Sequence, residues 1–408
     1  MKATSRIYLD TRRELKDSTF PLKLRITFNR KQKYYGLPGY SFTKEDFKRI
    51  TGDKPRGEFK DLQMKLNLIE QKAVNIINGL PAFTFQQFEK RLYRKSGEGS
   101  NVFYHYQVII DRYKKLDRIG TANNYQLSLK SLKEYINKDI YKLSFNEVTP
   151  AWLEDYERYM LNTGRSRTTI SIYLRSLRAV FNAAINEGDI SREIYPFGLR
   201  KYQLPSVRKV KKSLTREQLK QLFEASPRTP EQEKAKDFWF LLYSFNGMNV
   251  KDLVSLRYKD IENDKITYFR AKTVNTAKAD LKAITVYLND FSRSIIKKYG
   301  SSPNDPGKLI FSVINDRQNA TKKHSSTKNF VRFINQNLKK LAIIEGLPVD
   351  ISVQWSRHSF ATNAIRQGAS MEFVSEALNH SDMQVTQGYF TGFEDEAKRE
   401  MTQKLMNF

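Results

Sequence analysis

The chain contains no cysteine. That absence excludes disulfides, thiolate metal centres and a cysteine nucleophile. Histidine is almost as scarce, four in 408 residues, and no convincing histidine or carboxylate metal cluster stands out. No apolar run approaches the roughly 20 residues that span a bilayer. Residues 1–12 are polar and charged, unlike a secretory leader, and no lipidation signal is present, so a cytoplasmic location is the expectation. Acids are in deficit: 44 Asp and Glu stand against 71 Lys and Arg, a formal net charge of +27. Such a surplus repels itself unless an anionic partner compensates it, and nucleic acid is the commonest partner of that kind. Charge alone leaves open a soluble basic protein without a polyanion, or one acting at a membrane surface through a basic amphipathic helix.

A chain of 408 residues is expected to fold as two or three domains. Over 21–29, Leu22, Leu24, Ile26 and Phe28 alternate with Lys23, Arg25 and Thr27, the pattern of a half-buried strand with a basic outer face. A turn at 29–31 leads into a second strand over 33–37, and residues 6–12 supply a third. Leu62, Leu66, Ile69, Ala73 and Ile76 then share one helical face, stopped by Gly79-Leu80-Pro81. Residues 96–100 (Ser-Gly-Glu-Gly-Ser) have the composition of a short flexible linker.

Beyond it the pattern predicts helices near 102–117, 124–137, 150–162 and 168–187, with Thr149-Pro150 a strong start signal. The turn Arg165-Ser166-Arg167-Thr168-Thr169 puts two guanidiniums and small hydroxyls at a helix N-terminus, where phosphate contact is favoured. A solvated charged turn is the other reading of that segment. Residues 205–213 carry Arg208, Lys209, Lys211 and Lys212 without an acid and read as an extended basic linker. Thr215 to Gln218 then fits a capping box. No repeat of 20–50 residues is evident. The expected fold is mainly α in an α+β, multidomain chain. It comprises a β-rich module with a helix over 1–95, a helical domain over 101–205, a basic linker over 206–213, and a mostly helical domain with a small β-sheet over 214–408.

The densest pattern lies at the C-terminal end. Gln354-Trp355-Ser356-Arg357-His358-Ser359-Phe360-Ala361-Thr362 is followed by Leu378-Asn379-His380-Ser381 and by Gly388-Tyr389. Upstream, Gly247-Met248-Asn249-Val250-Lys251-Asp252-Leu253 reads as helical, with Leu256 and Asp260 beyond. A predicted hairpin carries Phe269-Arg270-Ala271-Lys272-Thr273 and returns over 283–286. This spaced set resembles the tyrosine recombinase (phage integrase) family, over about 213–408 and more loosely over 101–205. The N-terminal strands look like the arm-type DNA-binding module of mobile-element integrases. The motifs' wording is similar to that of integrases from Bacteroides-type bacteria.

The resemblance implies a site-specific DNA recombinase that integrates and excises a mobile element without metal, ATP or another cofactor. It implies Tyr389 as the nucleophile of a covalent 3′-phosphotyrosine, which stores the bond energy. Arg357 is implied as a bidentate phosphate clamp, Lys272 as the general acid toward the 5′-oxygen, His380 as a donor to a phosphate oxygen or an aid to proton transfer, and Asp252 as an acid orienting the arginines, with a solvated helix acid as its other reading. His358 is the packing histidine of the pair. Two positions depart from the family's pattern: Asn249 stands where an arginine is usual, and Gln354 where a histidine is usual. Gln354 still donates a hydrogen bond, whereas Asn249 is uncharged and short. Arg257, Arg270 and Lys251 are the candidate replacements. Arg257, eight residues on in the same expected helix, lies roughly 80° round it, and also reads as a plain backbone contact.

The implied partners are double-stranded DNA at core and arm-type sites, a homo-tetramer on synapsed DNA, and a DNA-bending accessory protein, with no membrane. Phe390, Phe393, Ala397, Met401 and Leu405 fall at helical spacing, a stripe that packs in cis or docks on a neighbouring protomer. An invertase or resolvase of the same chemistry, or a DNA-binding protein whose catalysis has decayed, remains open on sequence.

Overall fold

The computed structural model describes residues 2–80, 82–95, 97–136, 142–206, 212–272, 274, 282–380, 382–389, 399, 402 and 403. The chain divides into two compact units, 1–207 and 208–408.

The first unit opens with three antiparallel strands, β1 (Thr4–Leu9), β2 (Phe20–Phe28) and β3 (Lys31–Phe42), in that spatial order. The period-two pattern of β2 works as expected. Leu22, Leu24 and Ile26 are buried, while Lys23, Arg25 and Thr27 take the opposite face. The hairpin turns on Asn29 and Arg30, with φ of 48° and 63°, so that Phe28 pairs with Lys31. Two positive φ values in succession match the twist of the flanking strands. β3 runs further than the pattern suggested, through Pro38, because an edge strand tolerates a residue without an N–H.

Three helices follow, α1 (Lys44–Ile50), α2 (Glu58–Asn78) and α3 (Phe85–Leu92). α2 is the expected amphipathic helix, although Ile77 rather than Ile76 is the residue it buries beside Leu66 and Ala73. α1 and α3, seven and eight residues long, are too short to show a period; their N-caps Thr43 and Thr84 are their only local signal.

The helical part of this unit is α4 (Val102–Lys115), α5 (Ile119–Ile136), α6 (Pro150–Asn162) and α7 (Arg167–Asn186). Thr149 caps α6 with Pro150 at its first position, as the sequence indicated. α7 fully buries Ile170, Leu174, Leu177, Val180 and Phe181. At about 1.5–3 kcal/mol for each such side chain, this one face dominates the local energetics.

Residues 97–100 differ from the flexible linker that composition suggested. Glu98–Ser100 forms a 3-10 turn, closed by the Lys95 amide on the Glu98 carboxylate at 3.0 Å and by the Ser100 hydroxyl on the Gly97 carbonyl. The turn is anchored through Asp189, just beyond α7. Arg91 and Arg94 reach its carboxylate at 3.1 and 2.6 Å, and His105 Nε2 lies 3.4 Å from it and 3.1 Å from the Gly99 carbonyl. The partners lie more than 80 residues apart in sequence, which a local reading cannot connect. His105, Glu187 and Asp189 converge as metal ligands can, but the two arginines already neutralise Asp189, so the cluster is an ion-pair hub.

The second unit is built from α8 (Arg216–Glu224), α9 (Pro230–Ser244), α10 (Val250–Leu253), the sheet β4 (Ile261–Glu262), β5 (Lys265–Tyr268) and β6 (Ile284–Tyr287), then α11 (Asp290–Tyr299), α12 (Ala320–Ile344), α13 (Val353–Arg366), α14 (Met371–Ala377) and α15 (Met383–Gln387). The Thr215–Gln218 capping box is present in both halves. Phe238, Trp239, Leu241 and Leu242 of α9 pack with Ile334, Leu338 and Leu341 of α12 in one core. Trp239 Nε1 donates to the Ser352 carbonyl at 3.0 Å, fixing the start of α13.

One expectation is corrected in this unit and one is met. The helical reading of 247–253 reduces to the four-residue α10, because Gly247 turns the chain at φ +66°. The expected hairpin is present: β5 and β6 pair antiparallel, and Phe269 to Lys272 lie in the connection between them. Thr273, residues 275–281, most of the basic linker and the tail stripe from Phe390 lie outside the described residues.

Candidate active site

α13 presents Arg357, and the chain closes around its guanidinium from two directions. Nη1 donates to the Gly247 carbonyl at 2.9 Å and Nη2 to the Leu378 carbonyl at 2.6 Å. Gly247 is fixed here by proximity as well as by its positive φ. A Cβ on it would stand 2.7 Å from the Arg357 Cα and 2.9 Å from its Cγ, closer than real side chains approach. Arg357 is buried, and burial together with the neighbouring Arg270 charge pulls its guanidinium below its ordinary value.

Arg270, in the connection after β5, donates to the Asn379 carbonyl at 3.1 Å. The left-handed turn after α14, where Asn379 has φ 48°, therefore offers adjacent carbonyls to two guanidiniums. Asp252 of α10 is buried and accepts the Ala271 amide at 2.8 Å, which pins the residue following Arg270. Burial pushes the Asp252 carboxyl up; the Ala271 amide and then the charges of Arg270, Lys251 and Arg357 oppose that rise.

Tyr389 closes the cluster. Its ring is buried at 4% exposure beside Ala361, Ile365, Val374 and Leu378, while its hydroxyl hydrogen-bonds to Arg357. Burial raises the phenol above its ordinary value, and Arg357 and Arg270 pull it back. The His380 ring stacks on Tyr389, with centroids 5.9 Å apart and planes at 6°. His380 Nε2 lies 3.4 Å from Arg357 Nη2, and its Nδ1 lies 2.8 Å from the Thr386 hydroxyl. His358 packs its ring against Tyr389 at 5.3 Å.

Of the residues singled out in the sequence, Tyr389, Arg357 and His380 are thus brought into one cluster. Gln354 lies on α13 one turn before Arg357 and is exposed, as is Lys272 in the connection after Arg270. Asn249 precedes α10 in extended conformation and makes no capping bond. Arg257 is not brought to the cluster. α10 ends at Leu253, so the two residues share no helix, and the Arg257 guanidinium is committed to Asp316 at 2.6 and 3.0 Å and to the Gly307 carbonyl.

Among the other basic residues, Arg165 and Arg167 are exposed at the start of α7, with Thr168 and Thr169 half-buried behind them. Ser166 caps that helix by accepting the Thr169 amide at 3.2 Å. Lys212 pairs with Asp350 and lies 5.9 Å from the centroid of the Trp355 ring. Arg208, Lys209 and Lys211 lie outside the described residues. Sequence reasoning missed the Gly247, Leu378 and Asn379 carbonyls and the Thr386 hydroxyl. Backbone acceptors carry no residue-type signal, and only the brevity of the motif spacing hinted at them.

Comparison with known proteins identifies the modules that carry these residues. Residues 7–88 match an Arm DNA-binding domain, 101–204 a phage integrase SAM-like domain, and 212–395 the phage integrase family. Tyrosine recombinase XerD of Rickettsia bellii is 25% identical over 276 residues, covering 65% of this chain and 86% of that protein. Tyrosine recombinase XerC of Bacillus pumilus is 27% identical over 301 residues, covering 71% and 90%. Among solved structures, the integrase of transposon Tn1549 in complex with a circular intermediate DNA shares the fold with a TM-score of 0.53 at 18% identity, covering 75% of this chain and 99% of that one. XerH bound to a palindromic difH substrate does so with a TM-score of 0.51 at 18% identity, covering 82% and 93%. With its three successive modules matched and a tyrosine, histidine and arginine clustered in the last, the chain belongs to the tyrosine recombinases of the phage integrase family, a family of site-specific recombinases.

Proposed function

We propose that the chain is a mobile-element integrase of the Bacteroides-type group, acting on double-stranded DNA in the cytoplasm through Tyr389. The observation that carries this reading is the contact of the Tyr389 hydroxyl with Arg357 inside a cationic cluster. The phenol oxygen attacks the scissile phosphorus. A P–O bond to tyrosine forms, the P–O5′ bond breaks, the phenolic proton passes to water, and Lys272 protonates the departing 5′-oxygen. The 3′-phosphate stays on Tyr389 until a 5′-hydroxyl of the partner strand reverses the step. Arg357 and His380 meet charge on the phosphate oxygens, Gln354 adds a hydrogen bond from one turn away, and Asp252 holds the connection that carries Arg270 and Lys272.

The charge that Asn249 does not supply comes from Arg270. It acts on both Arg357 and Tyr389, and it shares the Leu378–Asn379 turn with Arg357. The basic N-terminal sheet binds arm-type sites. Arg165, Arg167, Thr168, Thr169 and the segment with Arg208, Lys209, Lys211 and Lys212 contact the core-site backbone. The active assembly is a homo-tetramer on synapsed DNA, with an accessory protein supplying the bend.

The test is a nicked suicide substrate carrying the DNA that flanks the gene. Wild-type protein should form a covalent adduct and Tyr389→Phe none; an adduct with Tyr389→Phe sinks the nucleophile assignment. Arg270→Ala should lower the adduct rate by about 10²–10³, while Arg257→Ala should leave it within a few-fold. Binding without an adduct on any flanking site would make the chain a DNA-binding protein instead. Inverted repeats around a promoter, in place of element borders, would make it an invertase.

A further inference from the structure

Thr386 is fully buried on α15, and each of its polar groups serves a different member of the cluster. Its hydroxyl lies 2.8 Å from His380 Nδ1, and its carbonyl accepts the Tyr389 amide at 2.9 Å. The far side of the His380 ring meets Arg357, whose Nη2 stands 3.4 Å from Nε2. A guanidinium only donates, so a neutral ring in this position turns its Nε2 lone pair toward Arg357 and carries its proton on Nδ1, donating it to Thr386. For His380 to donate to a phosphate oxygen through Nε2, that proton must sit on Nε2. Nδ1 then becomes an acceptor, and the Thr386 hydroxyl must rotate to donate.

A hydroxyl serves both arrangements, whereas an aliphatic side chain of the same shape serves neither. We propose that Thr386 is a positioning residue that lets His380 exchange tautomers and, through its own carbonyl, ties that exchange to the placement of Tyr389. Among the described residues, the groups against the His380 ring include Arg357 from α13, Tyr389 stacked on it and Thr386 from α15, with Arg270 on the neighbouring Asn379 carbonyl. The Thr386 hydroxyl, 2.8 Å from Nδ1, is able either to accept from that nitrogen or to donate to it. This rests on the reading of His380 and Tyr389 as catalytic residues.

The experiment uses the full chain with Thr386→Val and Thr386→Ser, read by single-turnover adduct formation and by DNA affinity. Thr386→Val should slow the adduct about 10- to 100-fold, the cost of one unpaired buried partner, at unchanged affinity. Thr386→Ser should recover to within a few-fold of wild type. Equal impairment in Val and Ser, or no impairment in Val, overturns the proposal. Should Thr386→Val not fold, side-chain ¹⁵N spectra of histidine-labelled wild type decide, since the chain has only four histidines to assign. His380 should be protonated on Nδ1 in free protein and on Nε2 with DNA; one unchanged tautomer in both samples overturns it. An adduct with Tyr389→Phe would instead overturn the catalytic reading on which this depends.

Discussion

Gly247 shows how narrowly single residues are constrained around Arg357. Its positive φ and the 2.7 Å approach a Cβ would make to the Arg357 Cα leave no room for a side chain. Gly247→Ala should therefore displace the guanidinium and lower adduct formation by two orders of magnitude or more, the scale on which a positioned phosphate donor acts. Binding to arm-site DNA should be unchanged, and single-turnover cleavage beside a gel shift separates the two. His105 supplies a pH dependence at the same scale. Burial is the largest influence on its imidazole and holds it below the ordinary 6.5, against the smaller pull of the Gly99 carbonyl and Asp189. The unfolded chain thus binds the proton more readily than the folded one, so this residue's contribution to stability is full above about 6.5 and is lost as pH falls through that value. The urea midpoint should be lower at pH 5.5 than at pH 7.5, and His105→Gln should reduce the difference; an equal drop in the variant would clear His105 of the effect.

At the scale of elements, the readable and the unreadable divide by sequence distance. β2, α2, α6, α7 and both caps at Thr149 and Thr215 followed from patterns within a dozen or so residues, because period and capping chemistry are local. Tyr389, His380 and Arg357, the residues proposed to act on the phosphate, were singled out for a different reason: the short spaced motif they form resembles that of the tyrosine recombinases. What escaped was whatever depends on remote partners. Arg257 could not be excluded until Asp316, on another segment, was seen to hold it, and residues 97–100 read as a loose tether until Asp189 was seen to anchor their flanks. That anchor makes its own prediction. Asp189→Asn leaves two arginines without their shared counter-charge and should cost about 3–5 kcal/mol, as broken buried pairs do. The expected signs are a lowered denaturation midpoint and new proteolytic cleavage between 93 and 101; unchanged values for both would show that the pairs contribute nothing.

At the scale of the molecule, the net charge of +27 has to be distributed over DNA. Affinity for core-site duplex should fall steeply and linearly in log–log against salt, each phosphate contact adding about −0.9 to the slope. DNA carrying both an arm-type and a core site at a spacing both modules can meet should be held more tightly than either alone, by about 10²–10⁴ if the two engage together. Titrations of one-site and two-site duplexes at matched salt measure both, and equal affinities would show that only one site is engaged at a time.

The Asp189 hub carries one more implication. Lys90 pairs with Glu187 beside the two arginines, so the end of α3 with Arg94 just after it and the residues just beyond α7 share three ion pairs. Two segments matched by separate family models are thereby tied together within one compact unit. If the strands hold arm-type DNA as proposed, a pull on that DNA would be transmitted through these ion pairs to α7.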